Sequence, residues 1–179
     1  DLSVMGDGDA SMLEEFMRVL HGIFRRMEKG GKPFVAAING HALGGGYEIC
    51  LACHHRIAAD DPKIKIGLPE AKIGLLPGGG GTQRLPRMIG MQQALPLMLE
   101  GKELAPKAAL NMGMVDEMVP ASELLAAAKA WVLGDGQKTK VQPWDKKSFK
   151  MPGGAVQSPM GQQAFAAGNA MLHQRTYGN

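Results

Sequence analysis

The chain has 179 residues, a length that suits one medium domain. Hydrophobic residues make up 45%, charged residues 21% and aromatics 5%. That excludes a disordered or collagen-like chain and leaves aliphatic side chains and 13 methionines to fill the interior. A formal charge of +3, with no basic run or RNA-binding aromatic motif, gives no reason to expect nucleic acid as a partner. There is no apolar stretch of about twenty residues, and the amino end, DLSVMGDGDAS, has neither a basic region nor an apolar core. No membrane span or signal peptide is expected, and the expected compartment is the cytoplasm. The chain starts at Asp1 rather than methionine, which reads as a processed or partial product. Its 25 glycines and 11 prolines are about a fifth of the residues, against roughly 12% in average usage, and the glycines are clustered.

Ser11 followed by Glu14 forms a capping box, and Met12, Leu13, Phe16, Met17, Leu20, Ile23, Phe24 and Met27 then recur at helical spacing until Lys29-Gly30-Gly31. Phe34 to Ile38 is apolar and bounded by Pro33 and Asn39-Gly40, the pattern of a strand buried on both faces. A helix is predicted from Gly44-Gly45-Gly46 through Tyr47, Glu48, Ile49 and Leu51 to about His54. Strands are predicted at Arg56 to Ala59 and Ile64 to Leu68, with Asp60-Asp61-Pro62 as a turn. After Pro69-Glu70 and a short irregular stretch, Gly78 to Gly81 lead into a helix with Thr82 as its expected cap and Leu85, Met88 and Ile89 on its inner face. Further helices are predicted at about Gln92 to Leu99, Pro106 to Met112 and Ser122 to Leu133, with Pro96 expected to bend or interrupt the first. Val115 to Val119 reads as a short extended piece. Strands alternating with helices make this an α/β domain with largely parallel pairing. From Gly134 to about Pro159, Gly, Pro, Lys and Gln without periodicity read as an extended linker, and a last helix spans Met160 to about His173.

Cys50, Cys53 and His54 spell C-x-x-C-H, the pattern of covalent haem attachment. Such attachment accompanies export, and no motif supplies a second axial ligand. Zinc could use these residues with His55, but no second ligand pair follows at recognisable spacing. Buried cysteines on a small apolar helical face explain the pair without chemistry, so no metal is expected. Neither glycine cluster continues into a P-loop or gives G-x-G-x-x-G after a strand, which argues against nucleotide binding of those kinds. The first cluster does place glycines at a helix start, where free N–H groups and the helix dipole favour a phosphate or a developing oxyanion. Tight packing of the helix on its strand explains the same glycines equally well. Glu48 follows this cluster, and Glu70 stands at the end of a predicted strand after Leu68-Pro69. If both point into one water-restricted pocket, repulsion and desolvation raise at least one pKa and divide acid from base. A lone glutamate near a helix start is otherwise a favourable dipole partner.

In order, Ala36-Ala37-Ile38-Asn39-Gly40, Gly44-Gly45-Gly46-Tyr47-Glu48, Gly67-Leu68-Pro69-Glu70 and Leu76-Pro77 through Gly78 and Thr82-Gln83-Arg84-Leu85-Pro86-Arg87 resemble the enoyl-CoA hydratase (crotonase) superfamily. The resemblance continues through Leu99-Glu100-Gly101-Lys102 and Ala108 to Gly113-Met114-Val115-Asp116 and covers about residues 1–133. The remainder, residues 134–179, with Gln142-Pro143-Trp144-Asp145-Lys146-Lys147 and Thr176-Tyr177-Gly178-Asn179, looks like the connector after the hydratase part of multifunctional β-oxidation α subunits. The resemblance implies a crotonase-like ββα spiral lacking its first strands, with a helical C-terminal part. It implies acyl-CoA as substrate, hydration of 2-enoyl-CoA with a plausible isomerase side activity, and no cofactor in this chain. NAD is expected only in a 3-hydroxyacyl-CoA dehydrogenase domain downstream. An oligomer, with a thiolase subunit among its partners, is also implied. A stand-alone hydratase or isomerase and a non-catalytic acyl-CoA-binding or assembly module are the alternatives.

Carried over by the resemblance, the Gly45 N–H is an oxyanion donor and Glu48 and Glu70 are the catalytic pair, with Glu70 the acid that protonates C2. Gly78 lines the catalytic water site, and Gly44 and Pro69 belong to the pocket. The stretch from Glu48 to Glu70 is about two residues longer than the family pattern, and the loop at Asp60-Asp61-Pro62 can absorb them at little cost. Asp1 looks like the aspartate that follows the family's other oxyanion donor. That donor would precede Asp1, so these residues alone are expected to make a poor hydratase.

Overall fold

The structure, a computed structural model, describes residues 10–175. Asp1, the expected counterpart of the family's aspartate, and Thr176-Tyr177-Gly178-Asn179 of the connector pattern lie outside the described residues. In chain order the elements are α1 (Ala10–Lys29), β1 (Val35–Ile38), β2 (Ala42–Leu43), α2 (Gly45–Ala52), β3 (His55–Ala59), β4 (Ile66–Gly67), α3 (Gly81–Ile89) and α4 (Met91–Leu99). They continue with β5 (Glu103–Leu104), α5 (Pro106–Asn111), β6 (Glu117–Val119), α6 (Leu124–Leu133) and α7 (Pro159–Arg175). A single 3-10 turn, Glu70–Ile73, lies between β4 and α3.

Among the described residues the strands form two three-stranded sheets, β1-β3-β6 and β2-β4-β5. All pairs in the first are parallel, with Val35 opposite His55 and Ile57 opposite Glu117. In the second, β2 and β4 are parallel and β4 and β5 antiparallel. Two successive ββα units, β1-β2-α2 and β3-β4-α3, each send their first strand to one sheet and their second to the other. This is the expected spiral, and it stacks α2 beside α3 and the end of β2 beside the end of β4.

The predicted strand at Phe34 to Ile38 is not buried on both faces: Ala37 is exposed, and β1 is the edge of its sheet among the described residues. The predicted strand at Ile64 to Leu68 keeps only two ladder residues, since Asp61 folds the preceding segment into a turn, taking N–H bonds on its carbonyl from Ile64 (3.0 Å) and on its side chain from Lys63 (2.9 Å). β2 was not predicted, being two residues that pair only through tertiary register. Pro96 lies inside an unbroken α4, as Pro86 does in α3. α1 already includes Ser11, and much of its apolar set, Met12, Leu13, Phe16 and Ile23, is exposed.

The core lies between the sheets and α2 to α6, with Tyr47, Leu51, Ile57 and Ile66 wholly buried. Residues expected to form an extended linker make short 3-10 turns at Asp135–Lys138 and Pro143–Asp145. Gln142, at the edge of the second, is buried, and its amide nitrogen donates to the carbonyls of Ala52 (3.1 Å) and Cys53 (2.9 Å). It thereby satisfies carbonyls at the C-terminal end of α2 that no further turn can reach. Such long-range capping carries no periodic signal. The Tyr47 hydroxyl likewise donates to the Met114 carbonyl at 2.8 Å in full burial. Tyr47→Phe leaves that carbonyl unpaired and is expected to lower the unfolding free energy by about 1–2 kcal/mol, read as a lower urea midpoint at unchanged slope.

Candidate active site

The loop from Leu43 into α2 turns through Gly44, whose φ of 55° and ψ of −130° favour a residue without a Cβ. Its N–H donates to the Gly67 carbonyl at 3.0 Å, tying the head of α2 to β4. Its own carbonyl accepts from Tyr47 and Glu48, which leaves the N–H groups of Gly45 and Gly46 at the helix start, where no preceding turn supplies acceptors. Gly45 is exposed at that position.

Glu48 sits one turn into α2 on its buried face, with Tyr47, Leu51 and Ala52. Only 3% of Glu48 is exposed, yet both carboxylate oxygens are paired: Oε2 accepts from the Gly79 N–H (2.8 Å) and Oε1 from the Gly81 N–H (2.7 Å). A Cβ on Gly79 would stand 2.7 Å from Glu48 Oε2, and one on Gly81 would meet Leu68 Cδ1 at 2.8 Å and Glu48 Oε1 at 3.0 Å. Both positions therefore exclude side chains. α3 begins at Gly81 after Gly80, whose φ is 101°, so Thr82 is inside the first turn and is not the cap. The helix start is capped from another element, by Glu48.

Glu70 opens the 3-10 turn after Pro69 and is half-buried. It comes to the head of α2: a Cβ on Gly44 would lie 3.1 Å from Glu70 Oε1. Its Oε2 is buried without a hydrogen-bond partner among the described residues. Burial pushes the Glu70 carboxyl above the usual carboxylate range, and the charge of Glu48 adds to the push against the pull of Glu70's own N–H. The two glutamates thus have opposite environments, one held by two N–H donors and one left short of partners. Gly78 is exposed at the other end of the loop, with its carbonyl 2.6 Å from His21 Nε2. Pro69, Gly44 and Gly45 fall with Glu70 around the α2 head, and Gly78 adjoins the loop that holds Glu48. The sequence did not single out Gly79 and Gly81, whose signal was only membership of a glycine run.

The C-x-x-C-H atoms are taken up by packing. The Cys50 and Cys53 thiols donate to the Gly46 and Ile49 carbonyls, and burial pushes them up to about 11 and about 12. His54 Nδ1 accepts from the Phe34 N–H at 3.0 Å and Nε2 lies 3.2 Å from the Glu28 carbonyl, the arrangement of a neutral ring, and burial lowers its pKa accordingly.

A spiral of ββα units with a helix-head glycine cluster and two converging glutamates defines the crotonase class. The chain belongs to the enoyl-CoA hydratase/isomerase family, whose model matches residues 1–142. The fatty acid oxidation complex subunit alpha of Shewanella amazonensis is 49% identical over 147 residues, covering 77% of this chain and 21% of its own length. That of Shewanella frigidimarina is 56% identical over 108 residues, 60% of this chain and 15% of its own. The chain therefore spans about a fifth or less of these curated relatives. Among solved structures, an enoyl-CoA hydratase from Bacillus anthracis matches with 34% identity and a TM-score of 0.67, over 78% of this chain and 52% of its own. One from Geobacillus kaustophilus HTA426 shares the fold, with a TM-score of 0.76 at 24% identity over 97% of this chain and 65% of its own. Among the described residues, no helix is long and apolar enough to cross a membrane.

The raised Glu70 carboxyl depends in part on Glu48's charge. Glu48→Gln is expected to let Glu70 ionise at lower pH than in the parent, followed by carbon-detected NMR titration of the Glu70 carboxyl.

Proposed function

We propose that this chain is the hydratase part of a fatty-acid β-oxidation α subunit and adds water across the C2=C3 bond of a 2-enoyl-CoA. The observation that carries the reading is the pairing of a carboxylate fixed by two backbone donors, Glu48, with one lacking a partner and biased toward its protonated form, Glu70. In this reading the Gly45 N–H donates to the thioester oxygen, where negative charge builds as water attacks C3. A donor of that kind contributes on the order of 100- to 1000-fold in rate. Glu48 accepts a proton from the water, whose oxygen forms the bond to C3, while the C=C electron pair moves to the enolate and the proton of Glu70 goes to C2. Glu70's raised affinity for its proton suits the acid role. The Gly78 backbone lines the water site, and Gly44 and Pro69 shape the pocket wall.

The step moves water and a proton with no change of oxidation state, so it needs no redox cofactor; in this reading the chain holds no cofactor of its own, and NAD belongs to a dehydrogenase domain outside it. The hydratase unit is residues 1–133, and residues 134–179 are the connector that follows it. The Shewanella relatives are named as a subunit of a fatty acid oxidation complex, which supports a multi-subunit assembly; in this reading the assembly is cytoplasmic and includes a thiolase subunit. The family description also names isomerases, and Glu70 could deprotonate one carbon and protonate another to move a double bond.

In the full-length gene product, Glu48→Gln and Glu70→Gln are each expected to slow hydration of crotonyl-CoA by roughly 100- to 10,000-fold with little change in KM. The assay is loss of the enoyl thioester absorbance, and an unchanged rate in both variants overturns the reading in favour of a binding or assembly module.

A further inference from the structure

Four residues of α1, His21, Phe24, Arg25 and Glu28, repeat at the spacing of one helix face; His21 and Phe24 meet the glycine loop at Gly78 and Gly79, and Glu28 meets Arg84 of α3. Glu28 is wholly buried, and Arg84 of α3 is 6% exposed. Arg84 Nε donates to Glu28 Oε1 at 2.7 Å and Nη2 to Oε2 at 3.1 Å, a two-pronged pairing. Its third donor, Nη1, reaches the Gly79 carbonyl at 2.8 Å. The same residue's N–H holds Glu48 Oε2 at 2.8 Å. Gly79 is thus gripped on its carbonyl by Arg84 and grips Glu48 with its N–H. A Cβ on Gly80 would collide with Arg84 Nη1, so the guanidinium occupies the space a side chain there would take. The Phe24 ring lies under the guanidinium, 5.5 Å from Cζ to centroid, and Arg25 supplies a further donor to Glu28 Oε2.

A buried ion pair is a poor way to hold two helices together, since desolvation takes back most of the Coulombic gain and packed apolar side chains do as well or better. What apolar packing lacks is a rigid donor at a fixed height above the Gly79 carbonyl. We propose that Arg84, set by Glu28, is a positioning residue for Glu48: by holding the Gly79–Gly80 peptide it fixes the backbone on both sides, so that the N–H groups of Gly79 and Gly81 hold the Glu48 carboxylate in its reactive place. The Arg84 guanidinium is taken up by Glu28 and the Gly79 carbonyl and acts through the backbone it holds. The inference rests on the reading of Glu48 as a catalytic group.

The test compares Arg84→Met, Arg84→Lys and the double variant Glu28→Gln/Arg84→Met in the full-length protein. Crotonyl-CoA hydration and thermal unfolding are followed for each, with Glu48→Gln as the reference. The double variant, which leaves no lone buried charge, is expected to melt near the parent temperature while kcat falls roughly 10- to 100-fold and KM stays within about threefold, as befits a misplaced catalytic group. Arg84→Lys, which keeps one donor but not the fork, is expected to recover part of that loss. A folded double variant with parental kcat, while Glu48→Gln is inactive, overturns the positioning role alone. Parental rates in Glu48→Gln as well overturn the reading on which it rests.

Discussion

A carboxylate on one helix caps the start of another. Glu48 belongs to the first ββα unit, yet its two oxygens take the N–H groups of Gly79 and Gly81 at the entrance to α3, in the second unit. The first N–H groups of any helix have no partner of their own, and a buried carboxylate needs donors on both oxygens. Each requirement answers the other. The glycine run, the position of Leu68 against Gly81 and the placing of Glu70 near Gly44 follow from fitting the two units closely enough for this contact.

That arrangement explains which parts of the molecule the sequence disclosed. Helical spacing in Leu85, Ile89 and in Tyr47, Leu51 marked α3 and α2 near their observed limits, because each buries a single face. The glutamate pair was legible in the residues as a question and in the ordered motifs as a resemblance. The cap of α3 was not legible. Thr82 has the right side chain for a local cap, and the actual acceptor is 33 residues away in sequence. Gln142 is a similar case, a polar residue in an aperiodic stretch that closes the far end of α2. β2 is two residues, too short for alternation to register, and β4 keeps only two of the residues whose alternation predicts a strand at Ile64 to Leu68.

The apparent haem motif shows the reverse error that spacing invites. Cys50, Cys53 and His54 fall close together because α2 ends there, and their polar atoms serve neighbouring carbonyls and the Phe34 N–H. The neutral His54 joins the end of α1 to the start of β1, the same stretch of α1 that carries Glu28 toward the glycine loop. Packing at the end of α1 and geometry at the site are thus parts of one contact.

The glycines at 79, 80 and 81 also shape the unfolded chain. Each glycine leaves that ensemble more freedom than alanine would, by about 0.4–1 kcal/mol, so three in succession weigh against folding by roughly 1–3 kcal/mol. The usual remedy of replacing glycine with alanine is closed here, since an added methyl meets Glu48, Arg84 or Leu68 at each of the three positions. Gains in thermal tolerance must therefore come from elsewhere in the chain. The price of close backbone approach at this loop is a stretch that stays entropically expensive for as long as the carboxylate remains in place.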